Sequence, residues 1–179
     1  AQYNNMFQPS ALHFRLAGED HGFSEEIIPM HIYQGKGDLL GLIRDDMPPR
    51  GNSKKMIAMA GPGESTYTLY DKDICSRAQV WLHEEATKKQ DKPWVLFVSF
   101  VAPHFPLTAP PHWFYRYWQM DLPMPKLYDK ASRPHHPYVD EYAHTVDYDT
   151  HFRSPADVKR AIAGYSGLVS SLDENIGHV

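Results

Sequence analysis

The sequence predicts an α/β fold, only partly represented in these residues, and three observations carry that reading. Apolar residues recur at helical spacing over 71–89, with Ile74, Ala78, Trp81, Leu82 and Ala86 separated mostly by polar residues. An apolar run over 94–100, broken only by Ser99, follows after a short link and lacks polar alternation, as a strand buried on both faces would. A second helical pattern over 154–179 closes the chain. Helix, short loop and buried strand form half of a βαβ unit.

Taken in order, residues 1–30 hold short apolar groups between polar turns, and "ALHFRL" reads as a short strand leading into a loop at "AGEDHG". Residues 34–65 contain six glycines and three prolines, which leaves room only for a short helix over 38–44. Asp71 is the predicted start of the 71–89 helix, because its carboxylate can accept unpaired amide hydrogens at the positive end of the helix dipole. Lys88, Lys89 and Pro93 are its stop signals. Residues 107–153 read as a long loop rich in proline, histidine and aromatics, and a loop of that length is expected to shape a cleft. At the last helix Ser154 can cap, Pro155 suits the first turn and Asp157 stands where a capping-box acid would. Gly164 and Gly167 are expected to permit close packing there rather than to break the helix. Its apolar stripe runs to Val179, which leads us to expect an internal segment, 1–179, of a larger domain.

The 179 residues suffice for one domain with a sizeable core. A hydrophobic content of 42% and a net charge of -4 fit a soluble globular chain. No basic patch points to nucleic acid, and the longest apolar run is far too short to cross a bilayer. The compartment, cytoplasm or periplasm, and the oligomeric state stay open. A single cysteine, Cys75, excludes an internal disulfide and a thiolate metal cluster within the chain.

His104 lies just beyond the apolar run, where open parallel sheets place ligands, and Pro103 and Pro106 limit where its ring can point. Position alone leaves it open between a site residue and a loop histidine that bonds a carbonyl. His13 and Arg15 would share one face of a strand, as an anion patch or as a plain surface pair. "EDHGF", with Glu19, Asp20 and His21, reads as an acidic turn rather than a metal site, and "AGPGES" reads as lacking the lysine and the following helix of a phosphate loop. Cys75 sits within the helical pattern and reads as packing. His112, His135, His136, His144 and His151 could line a cleft, but none stands out as catalytic.

The segments "LHFR…DHGFSEEIIPMH", "AGPGESTYTLYDKDICSRAQVWL", "KPWVLFVSFVAPHFPLTAPP" and "YSGLVSSLDENIGHV" together resemble the type I, formylglycine-dependent sulfatases of the alkaline phosphatase superfamily. The likeness runs in order along nearly the whole chain, and bacterial choline-sulfatase-like members rank nearest. It implies a sulfuric ester hydrolase acting on a small sulfated substrate through a formylglycine nucleophile and a divalent cation, calcium in most members. On this resemblance His104 matches the family histidine that contacts the sulfate and protonates the leaving alcohol. His13 matches the histidine of a Gly-Lys-x-His motif that orients the nucleophile and helps to release sulfate.

The sequence also departs from the family. Ser10 and Ala11 replace the Gly-Lys pair, and losing a charge aimed at the reacting group would raise the barrier by on the order of 3 kcal/mol or more. No Cys-x-Pro-Ser-Arg motif is present, and "ICSRA" around Cys75 lacks its proline. The nucleophile and the metal ligands are therefore expected outside these residues, and the segment alone is expected to be inactive. Two other readings stay open: a phosphodiesterase or phosphonate hydrolase of the same superfamily, and a degenerate protein that binds sulfated ligands without cleaving them.

Overall fold

A serine and a threonine decide where the first long helix begins. The Thr68 amide donates to Ser65 Oγ at 3.2 Å while the Ser65 amide donates to Thr68 Oγ1 at 2.8 Å, so two amides at the helix entrance are satisfied reciprocally. In the computed structural model, which describes residue 24 and residues 52–179, that helix spans Thr66–Glu84. It is preceded by helix α1, Asn52–Ala58, so the longer helix is α2. The start predicted at Asp71 is thus corrected: Asp71 lies inside α2, on a buried stripe with Thr68, Cys75 and Ala78. The helix ends before the lysine-rich stretch, where the Glu85 amide donates to the Trp81 carbonyl.

The α/β class holds, but the strands are short. Strand β1, Gly61–Pro62, pairs in parallel with β2, Thr108–Ala109. Gly61 and Gly63 have φ of +156° and +151°, backbone that residues with a Cβ rarely adopt, so "AGPGES" is a strand end and helix entrance built on glycine. The strand expected over 94–100 forms no ladder among the described residues, and Val95 and Phe97 are 83% and 64% exposed. A strand buried on both faces needs neighbours on both edges and layers on both sides. Here the one parallel pairing among the described residues falls further on, at β2.

The expected loop over 107–153 is largely helical. It carries α3, Pro111–Trp118, a 3-10 turn at Lys130–Ser132, α4, Pro137–Val146, and α5, Tyr148–His151. Pro111 and Pro137, two of the prolines of this stretch, stand in the first turns of α3 and α4, where no amide hydrogen is required. The last helix, α6, Pro155–His178, starts where its caps require. Ser154 Oγ accepts from the Asp157 amide at 3.2 Å, and Asp157 Oδ2 accepts from the Arg153 amide at 3.1 Å.

Helix α6 packs against α3 and β2 through its small residues. A Cβ on Gly164 would stand 2.3 Å from the Leu107 carbonyl oxygen, and one on Gly167 would stand 2.8 Å from Ala109 Cβ. Hydrogen there lets the helix reach the strand, and Ala109, Phe114, Ala163 and Leu168 close into the core. Polar contacts fix the α3–α6 register: Trp113 Nε1 donates to Glu174 at 2.9 Å, and the Tyr117 and Ser170 hydroxyls lie 2.7 Å apart. No described helix is long and apolar enough to cross a membrane.

Candidate active site

Residues one turn apart on a helix share a face, and α2 uses that rule to build the surroundings of His104. Tyr67 and Asp71 both point toward the segment that follows the apolar run. Asp71, 1% exposed, accepts the Val101 amide at 2.6 Å on one oxygen and the Ala102 amide at 2.8 Å on the other. The chain then turns, with the His104 amide donating to the Val101 carbonyl at 3.1 Å. The peptide bonds Ala102–Pro103 and Phe105–Pro106 on either side of His104 are both cis.

The far end of the turn is tied to the same stretch of chain. The Gly61 amide donates to the Leu107 carbonyl at 3.0 Å and the Gly63 amide to that of Ala109 at 2.8 Å. Thr108 Oγ1 adds a bond to the Met59 carbonyl at 2.7 Å. Residues 59–71 therefore hold both ends of the His104 segment, the exit through β1 and the entrance through Asp71.

The half-buried His104 ring is held edge-on by Tyr67, with centroids 5.3 Å apart and planes at 86°. Phe105 lies against it at 4.2 Å. Nδ1 is 2.5 Å from the Phe105 carbonyl oxygen, which can only accept, so Nδ1 carries the hydrogen and Nε2 holds the lone pair of the neutral ring. Burial lowers the His104 pKa, and the bond to the Phe105 carbonyl offsets this only in part. Burial raises the pKa of Asp71, opposed by its two amide donors.

His13, Ala11, Arg15 and the "EDHGF" residues lie outside the described residues. Three histidines of 107–153 have contacts on their own or neighbouring helices. His112 lies 3.7 Å from Glu174, His135 lies 3.5 Å from Asp140, and His136 caps α4 by accepting the Tyr138 amide at 3.2 Å. Cys75 is buried with its sulfur 3.4 Å from the Asn175 carbonyl oxygen, and burial raises its pKa, so it is a packed thiol. Among the described residues no group of three or more histidine, cysteine, aspartate or glutamate side chains could hold a metal ion.

Two residues of the site escape a reading of spacing alone. Tyr67 falls just ahead of the helix start expected at Asp71, and Asp71 itself reads as a cap. The signal for Asp71 is an acid on the apolar stripe of an amphipathic helix: a buried carboxylate needs donors, and here they come from backbone far along the chain.

The family model described as Sulfatase matches residues 32–179. An arylsulfatase of Clostridium perfringens (strain 13 / Type A) is 35% identical over 88 residues, which make up 48% of this chain. The matched stretch spans 17% of that relative's length. No solved structure matches the chain.

Proposed function

We propose, on the premise that this chain belongs to the sulfatase family, that it forms one wall of a sulfuric ester hydrolase site, with His104 as the residue that meets the sulfate and its leaving oxygen. Within the family, we place the parent enzyme nearest the choline-sulfatase-like bacterial kind. The observation that carries the reading is the 2.5 Å contact between His104 Nδ1 and the Phe105 carbonyl oxygen, an acceptor that makes Nδ1 the donor and leaves Nε2 as the ring nitrogen able to exchange a proton.

Cleaving a sulfate monoester breaks the bond between sulfur and the alcohol oxygen, and that oxygen departs with a proton. Burial keeps His104 neutral at neutral pH while no anion is near. A sulfate ester brings a negative charge, which favours the imidazolium and loads Nε2 with the proton that the leaving oxygen takes. The half-buried, aromatic surroundings strengthen that attraction relative to open water, because an electrostatic contact gains as water is thinned out. His13 assists release of sulfate in this account. The formylglycine nucleophile and the calcium ion of the family belong to residues outside these 179. Among the described residues no group of three or more histidine, cysteine, aspartate or glutamate side chains could hold that ion.

Two measurements on the 179-residue chain test this. Titration with inorganic sulfate should move the His104 imidazole resonances and raise its pKa, while an aryl sulfate with added calcium should be hydrolysed no faster than in buffer. A His104 ring indifferent to sulfate at tens of millimolar removes it from the site. Turnover at enzyme-like rates overturns the assignment of the nucleophile to residues outside the chain.

Ala11 favours a second reading, a protein that holds sulfated ligands without cleaving them, because the lysine that would neutralise the leaving oxygen is missing. In the parent protein Ala11→Lys should raise turnover if the site is otherwise intact, and should leave it at background if the protein only binds.

A further inference from the structure

We infer that Asp71 is the positioning residue of this site: its buried carboxylate clamps the Val101 and Ala102 amides and so fixes the turn from which His104 projects. Both hydrogen bonds of its carboxylate go to backbone amides, so it acts on His104 through backbone. Its two oxygens each take one amide, at 2.6 and 2.8 Å, across separations of 30 and 31 residues in sequence. An acid on the buried stripe of a helix is costly, and burial raises its pKa, so its presence is explained by what it holds. Two further contacts make the clamp specific to His104. The His104 amide donates to Val101, the same residue that Asp71 fixes. Tyr67, one turn earlier on α2, sets the ring edge-on at 5.3 Å. One helix face thus determines both where the turn starts and how the ring lies.

The geometry also says which replacements fail. Asparagine offers one acceptor and one NH2 group, so one of the two amides would face a donor. Glutamate carries the carboxylate one methylene further and cannot meet both amides from the same Cα. The inference rests on the reading of His104 as the residue that meets sulfate, but its test requires no turnover, so the two can fail separately.

Nuclear magnetic resonance on the full chain provides that test. In Asp71→Asn the Val101 or Ala102 amide should exchange with solvent about tenfold faster, the loss of one hydrogen bond. The His104 ring nitrogens should at the same time lose the Nδ1–H signature and move toward a mixture of tautomers. Ala78→Gly, on the same buried stripe of α2, serves as the control for a general loss of helix stability. If Asp71→Asn leaves the His104 tautomer unchanged, or Ala78→Gly alters it equally, Asp71 is only a structural residue and the inference is overturned. If Asp71→Asn does not fold, the wild-type chain still decides. The Val101 and Ala102 amide shifts must follow the titration of the Asp71 carboxyl carbon, and independence of the two overturns the clamp.

Discussion

Gly164 of α6 sits so close to Leu107 that a Cβ on the glycine would stand 2.3 Å from the Leu107 carbonyl oxygen, an atom that also accepts the Gly61 amide. Backbone engaged in a ladder cannot move aside cheaply. Gly164→Ala gains helix propensity of about 1 kcal/mol but overpacks a site with no slack, so a net loss of about 1–3 kcal/mol is expected. At Gly177 nothing lies within 4 Å of the added Cβ, and Gly177→Ala should stabilise by at most about 1 kcal/mol. Urea midpoints at constant slope measure both, and opposite signs are the expected result.

The burial that lowers the His104 pKa makes stability depend on pH with a definite sign. The unfolded chain binds a proton near the ordinary histidine value while the folded chain does not, so between the two values the unfolded state holds more protons. Stability therefore rises with pH across that window, and it falls as acid brings the pH below the unfolded value, about 6.5, toward the folded one. His104→Gln should flatten this part of the profile, and a proton-resonance titration of wild type should place the His104 inflection below the ordinary value. An inflection at or above it contradicts the environment described for the ring.

Much of this arrangement is legible from the sequence, and the rest fails for identifiable physical reasons. The start of α6 and the purpose of its glycines follow from local rules, because Ser154 caps its own helix and Gly164 and Gly167 allow close approach. His104 reads as standing beyond the end of a strand over 94–100, but that stretch forms no ladder among the described residues, and the chain around His104 is held by Asp71 and by β1 instead. Asp71 defeats local reasoning because its partners are Val101 and Ala102, and only the fold brings them near. The helix start slips for the same reason: Ser65 and Thr68 compete for the cap, and the acid that would have won is engaged elsewhere. The histidine-rich stretch reads as loop because its prolines are breakers inside a helix but suit the first turns of α3 and α4.

Cys75 packs between α2 and α6 with its sulfur 3.4 Å from the Asn175 carbonyl oxygen. Burial raises its pKa, so little thiolate is present at neutral pH and an alkylating agent must wait for the structure to open. Labelling with iodoacetamide at pH 7.5 should be slower in the native chain than in urea by about a hundredfold or more, tracking the opening equilibrium. Equal rates would mean that the α2–α6 contact is open in solution.

Arg133 closes the segment between α3 and α5 with one guanidinium. It donates to both oxygens of Asp149, at 2.7 and 3.0 Å, and to the Leu127 and Tyr128 carbonyls at 2.8 and 2.6 Å. Lysine cannot reproduce that fork, because a single ammonium cannot address four acceptors spread in a plane. Both side chains are about one-third exposed, 31% and 30%, so solvent screens the pair, and Arg133→Lys should cost only about 1 kcal/mol of global stability. The local effect should be larger: cleavage by chymotrypsin at Leu127 or Tyr128 should speed up while the urea midpoint barely moves. The hydrogen bond from Arg133 is also the main cause that holds the Asp149 carboxyl below its ordinary pKa. Its contribution is thus complete above the ordinary carboxylate value, about 3.9, and is lost as the pH falls through the lower folded value. Arg133→Ala should remove that acid-dependent loss. An unchanged acid limb would show that Asp149 is held by Lys130, 3.5 Å away, rather than by the arginine.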